Sequence, residues 1–126
     1  MTKLQHEADE WLERKYKDMK ISEYAEAAAE TAIYSHTHAI LYPALGMAGE
    51  AGEVANKVKK IIRDGVNKQP DDWREQIAAE IGDVLWYCAA LARDINIPLA
   101  TIAAQNRDKL RARKEKGTLG GSGDKR

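Results

Sequence analysis

Ala48-Gly49-Glu50-Ala51-Gly52-Glu53-Val54 and, thirty residues on, Ala78-Ala79-Glu80-Ile81-Gly82-Asp83-Val84 are copies of one pattern, A-x-E-x-G-[E/D]-V. Acids three apart on a helix share a face, with roughly 5–6 Å between Cβ atoms. Apolar residues recur at helical spacing around both copies: Met47, Ala51, Val54, Val58 and Ile61 on the first, Ile77, Ile81, Val84, Cys88 and Leu91 on the second. At about 100° per residue each acid pair falls on one edge of its apolar arc. Gly52 and Gly82 fall on the other edge, where glycines in helix interiors suggest close backbone approach. The offset also aligns Val58 with Cys88 and Ile61 with Leu91, as in a helix duplicated about a local pseudo-twofold axis.

Working outward, the loop between the two copies is short, so their helices are antiparallel neighbours. The first of them spans about Ala44 to Arg63 and closes at Asp64-Gly65. The second follows Gln69-Pro70, with Asp72 and Glu75 spaced as a capping box, and runs to about Asp94. Pro98 opens a last helix that Gly117 ends. Upstream, helices are expected from about Lys3 to Met19 and from Ser22, as N-cap, to Tyr34. No stretch alternates with period two. The expectation is an all-α, four-helix-bundle-type domain with an antiparallel helical hairpin as its core, covering residues 1–116. Residues 117–126 hold four glycines and read as a flexible tail.

The chain has 126 residues, 44% hydrophobic and 32% charged, which suits one ordinary globular domain. It has no apolar run long enough to span a bilayer, and the charged start MTKLQHEADEWLERKYKD is unlike a signal peptide. A single cysteine, Cys88, rules out an internal disulfide framework. A cytoplasmic protein without membrane or nucleic-acid-polymer partners is expected. Net charge is zero but uneven: residues 103–126 carry eight bases against three acids. These cations could serve phosphate groups, or simply complement a helix C-terminus.

Glu50, Glu53, Glu80 and Asp83 carry the chemistry. Four carboxylates at one end of a helix pair repel one another unless protonated or metal-bound. Hard oxygen donors suit Mg²⁺ or Mn²⁺, which keep open positions for water or substrate oxygens and so suit phosphate chemistry. As a plain alternative, Glu53 and Lys57 form an i,i+4 ion pair on a solvated stripe. A di-iron bundle would need Glu-x-x-His pairs, and His6, His36 and His38 supply none. A zinc site lacks cysteine pairs or a helical His-x-x-x-His.

The runs ALGMAGEAGEVANKVKK and EIGDVLWYCAALA resemble the MazG-like all-α nucleoside triphosphate pyrophosphohydrolases, over roughly Tyr34 to Gly117. The closing GTLGGSGDKR is similar to the tail of some small bacterial and phage members. The resemblance implies metal-dependent cleavage of a (d)NTP to its monophosphate and pyrophosphate, and a homodimer or homotetramer. Glu50, Glu53, Glu80 and Asp83 become the expected metal-binding and catalytic acids, with Mg²⁺ as cofactor and Mn²⁺ as substitute. Many members open the first motif with two glutamates; Gly49 takes the first of those places here.

Beyond the acids, Lys57, Tyr87, Asn106, Lys109 and Arg113 are candidate substrate-binding residues. Tyr87 follows Asp83 by one turn, and Lys57 with Lys60 continues the Glu50/Glu53 stripe. Asn106 lies on the apolar arc of the last helix among Leu99, Ile102, Ala103 and Leu110, with Lys109 and Arg113 flanking it. Trp73 falls on an apolar arc, whereas Trp86 points away from it, toward another helix, a subunit or a base. The contrasting possibility is a non-catalytic helical module that binds nucleotide or metal, or only oligomerises.

Overall fold

The computed structural model describes residues 2–126, and among them there are helices and no strand. Five α-helices follow in order: α1 Lys3–Tyr16, α2 Ile21–Glu30, α3 Leu41–Asp64, α4 Trp73–Asp94 and α5 Leu99–Lys116. Short 3₁₀ turns at His36–His38 and Val66–Lys68 lead into α3 and α4. The all-α expectation holds, and the antiparallel α3–α4 hairpin is the principal packing unit, with α2 and α5 laid against α4.

Local chemistry sets the boundaries. Thr2 caps α1 by accepting from the Gln5 amide, while the Gln5 side chain accepts from the Thr2 amide. The sequence places Ser22 as the cap of α2, yet the helix starts at Ile21. Its C-terminus comes before Tyr34 because Thr31 folds its hydroxyl onto Ala28 O at 3.1 Å and the Tyr34 hydroxyl donates to Asp94. At the start of α3, Leu41, Tyr42 and Pro43 form the first turn, where the missing proline N–H has no helical acceptor to lose. Asp72 precedes α4 but its side chain takes Gln76 Nε2 at 2.9 Å instead of a backbone amide. Gly65 ends α3 at φ +86, a conformation L side chains rarely adopt.

The hydrophobic centre is thin. Pro43 is fully buried and Ala28, Ala89, Ala90 and Ala92 are nearly so, so the helices meet through small side chains. Half-buried positions recur along α3 at Met47, Glu50, Val54, Lys57 and Ile61, and along α4 at Ile77, Glu80, Val84, Tyr87 and Leu91. These define the seam of the hairpin. It differs from the arc read off the sequence: Glu50 and Glu80 lie within it, while Ala51, Val58 and Ile81 are exposed. The cause is the pairing itself, which turns the inner acid of each motif toward the other helix and leaves Glu53 and Asp83 outside.

Within the chain, the close approach expected at Gly52 and Gly82 does not occur. A Cβ added at Gly52 or Gly82 would meet nothing within 4 Å. The close approach is at Gly46, where an added Cβ would overlap the Tyr87 ring, so α4 lays its tyrosine directly on the α3 backbone. Gly46→Ala should therefore lower the melting temperature, since overpacking costs about 1–3 kcal/mol. Gly82→Ala should raise or preserve it, because alanine gains roughly 0.5–1 kcal/mol over glycine inside a helix. Thermal denaturation followed by circular dichroism separates the two.

Candidate active site

The seam brings three of the four motif acids together. Carboxylate oxygens of Glu50, Glu80 and Asp83 lie within 4.8 Å of one another. Glu50 and Glu80 are half-buried and Asp83 is exposed, so the group opens to solvent on one side. Glu53 lies outside this trio, on the exposed side of α3. The Lys57 ammonium reaches across the hairpin to Glu80 at 3.3 Å, an interhelical ion pair in place of the same-helix pair with Glu53 that the spacing suggested.

A cleft of about 340 Å³ adjoins the acids, lined by Thr31, Glu50, Asp83, Trp86 and Tyr87. The Trp86 indole N–H donates to Thr31 Oγ1 at 2.7 Å, which fixes the indole against α2. Its ring meets Tyr87 edge-on, with centroids 5.0 Å apart. Tyr87 is held from the other side by Tyr42, centroids 6.2 Å apart, and beneath by Gly46. Desolvation raises the Tyr87 pKa first, then the neighbouring Tyr42 hydroxyl, then the nearby Glu50 and Asp83 charges. Tyr24 on α2 is raised too, by burial and then by Asp83, which places it on the same side of α4.

Of the residues singled out from sequence, Lys57 and Tyr87 therefore stand at the acids. Asn106, Lys109 and Arg113 do not line the cleft. Asn106 is exposed, because the second half of α5 extends with Leu110 still 43% exposed. Lys109 and Arg113 are engaged by the tail: Asp124 approaches them at 3.6 and 3.4 Å, and Arg113 Nη2 donates to Asp124 O at 2.8 Å. Arg113 is left 6% exposed, with its Nε lacking a partner. His36 and His38 are exposed on their turn. Sequence reading missed Thr31, Tyr42 and Gly46. The first two sit at helix ends where periodicity says nothing, and Gly46 lies two residues before the first motif without resembling it.

The donor set fits a hard divalent cation. Magnesium–oxygen bonds of about 2.1 Å put opposite ligand oxygens roughly 4.2 Å apart. Adjacent ligand oxygens stand roughly 3 Å apart around such an ion, so the trio, now within 4.8 Å, would draw in to hold one. The electrostatics agree: Glu50 is pushed above the usual carboxylate range by desolvation, then by the neighbouring carboxylates of Glu80, Asp83 and Glu53. A carboxylate raised in the folded state binds its proton more tightly there than in the unfolded chain. Stability from this group is thus present at low pH and lost as pH rises through the folded pKa. In EDTA the melting temperature should fall as pH rises past the ordinary carboxylate range. Glu50→Gln should flatten that slope, and Mg²⁺ or Mn²⁺ at neutral pH should restore the lost stability. Differential scanning calorimetry across pH reads all three.

The family model for the MazG nucleotide pyrophosphohydrolase domain matches residues 37–118. That span contains both acid motifs, Lys57, Tyr87 and the whole of α5. The chain is also similar to the Gene 37 protein of Mycobacterium phage L5, 42% identical over 114 residues that cover 86% of this chain and 100% of the phage protein. No solved structure matches it. The paired acid motifs, their convergence in the α3–α4 seam and the extent of the match together establish that this chain belongs to the MazG nucleotide pyrophosphohydrolase family.

Proposed function

We propose that the protein is a metal-dependent nucleoside triphosphate pyrophosphohydrolase that cleaves a (d)NTP to its monophosphate and pyrophosphate. The observation that carries this is the carboxylate trio opening onto a cleft walled by Trp86 and Tyr87. Glu50, Glu80 and Asp83 would hold Mg²⁺ or Mn²⁺, with Glu53 reaching in from one turn along α3. When bound, the cation neutralises charge on the phosphate oxygens and lowers the pKa of a coordinated water. A carboxylate of the group orients or deprotonates the attacking water. The Tyr87 hydroxyl donates to a phosphate oxygen, and Lys57, already at Glu80, follows charge toward the leaving pyrophosphate.

Asn106, Lys109 and Arg113 fit this scheme only in an assembly. A compact 14.1 kDa chain should expose roughly 6,700 Å² by the scaling of folded surface with mass. This one exposes 9960 Å². Part of the excess is α1, whose residues are all exposed, and part lies on α3. Opposite the seam, α3 carries Leu41, Leu45, Ala48, Gly52, Ala55 and Ile62 on one exposed stripe at helical spacing, broken once by Lys59. Leu41, Leu45 and Ile62 are 63%, 74% and 82% exposed. Large side chains at both ends and small ones in the middle suit a second helix lying close across Gly52. A homodimer or homotetramer packed there would cover the stripe, and Asn106 and Lys109 on the exposed face of α5 would serve a neighbouring copy's cleft, which Arg113 joins only if Asp124 releases it.

Pyrophosphate release from a panel of nucleoside triphosphates should require Mg²⁺ or Mn²⁺. Glu50→Gln and Asp83→Asn should each reduce the rate by roughly 10²–10⁴-fold with helical circular dichroism unchanged, and Glu53→Gln should cost less. Nucleotide binding by calorimetry without product over long incubation would favour a non-catalytic module instead. Sedimentation equilibrium should give a multiple of the monomer mass, and Leu45→Glu with Ile62→Glu should reduce it; a monomer before substitution refutes the assembly.

A further inference from the structure

Ile40, immediately before α3, has φ +69 and ψ −54. A β-branched side chain in that region is a genuine outlier. The cause is a γ-turn of the strained sign, closed by Leu41 N–H donating to Ala39 O at 2.8 Å. Side-chain burial does not compensate, since Ile40 is 48% exposed. Such strain persists only where surrounding contacts over-determine it, and it gathers at functional sites. Here one carboxylate supplies the constraint. Asp94, the last residue of α4, accepts on the same Oδ2 from Ile40 N–H at 2.9 Å and from the Tyr34 hydroxyl at 2.8 Å. Burial and the Asp94 hydrogen bond push Tyr34 up to about 12, in keeping with a firmly held phenol.

The clamp connects to the acids through aromatic contact. Tyr34 stacks on Tyr42, with centroids 4.7 Å apart and planes 21° apart. Tyr42 leans on Tyr87, whose ring is already fixed over Gly46 beside Glu50 and Asp83. Tyr42 also belongs to the first turn of α3, so the γ-turn sets where that turn starts.

We propose that Asp94 is a positioning residue: by clamping the strained turn at Ile40 and the Tyr34 hydroxyl, it aligns the Tyr34–Tyr42–Tyr87 column and so sets where the Tyr87 hydroxyl meets the acid group. It touches neither metal nor phosphate. Its catalytic consequence rests on the reaction proposed above, but its effect on Tyr87 does not.

The test uses the full chain labelled with 3-fluorotyrosine. Its five tyrosines give five ¹⁹F signals, that of Tyr87 assigned by its loss in Tyr87→Phe. Asp94→Ala should move the Tyr87 signal as well as that of Tyr34. Glycine adopts positive φ freely, so adding Ile40→Gly to Asp94→Ala should return the Tyr87 signal toward its original position. Where Asp94→Ala does not fold, Asp94→Asn, which keeps the shape and one carbonyl oxygen, should give a smaller shift of the same sign. In turnover, Asp94→Ala should lower kcat/KM roughly 10- to 100-fold, the scale of a misplaced contact group. It should add nothing further in a Tyr87→Phe background, and Ile40→Gly should recover most of the loss. A Tyr87 signal unmoved in a folded Asp94 variant, or one moved but not returned by Ile40→Gly, overturns the proposal. If the unsubstituted chain releases no pyrophosphate from any nucleotide, the reaction falls while the fluorine spectra still decide the clamp.

Discussion

Two carboxylates facing each other across a helix seam repel, and a half-buried seam screens them less than open water would. Glu50 and Glu80 occupy seam positions that a hairpin built only for stability would give to leucine or valine. Lys57 compensates Glu80, while Glu50 keeps Glu80, Asp83 and Glu53 as neighbours and responds with a raised pKa. The surroundings are arranged around that tension. Alanines at Ala89, Ala90 and Ala92 bring the remaining contacts of α4 close. Gly46 removes the one Cβ that would push Tyr87 away from the acids. The hairpin tolerates a charged centre because its packing is tight where the charges are not.

That economy has a structural cost. Small core side chains bury little apolar area, and each buried Å² contributes only about 25 cal/mol. Leu41, Leu45 and Ile62 of α3 face away from the seam, and no residue of α1 is buried. A surface of 9960 Å² on a chain of this size leaves much of the available hydrophobic stabilisation to be gained by association.

Helix content and the hairpin were legible because periodicity reports local geometry, and each motif occupies the interior of a long helix. The acid group was legible for the same reason: two i,i+3 pairs on neighbouring helices have few ways to avoid each other. What pattern could not reveal was rotation about the helix axis. Residues three apart differ by about 60° around the axis, enough to place Glu50 in the seam and Glu53 outside it. The glycines show the same limit. Gly52 and Gly82 stand out by repetition and face open space, while Gly46 stands out by nothing and carries the contact. The turn at Ile40 was hidden more thoroughly, since isoleucine is among the last residues that sequence reasoning would place at positive φ. Only Asp94, 54 positions along the chain, accounts for it.

Gly49 bears on how much positive charge the site requires. A Cβ there would meet nothing within 4 Å, so no neighbour excludes a larger side chain. The missing acid is a matter of charge, not of space. Glu50, Glu80 and Asp83 bring three negative charges and Lys57 returns one, which leaves two uncompensated. A single divalent cation balances that set. Lys57 is therefore more than a surface partner: its bond to Glu80 offsets one of the three carboxylate charges gathered at the seam.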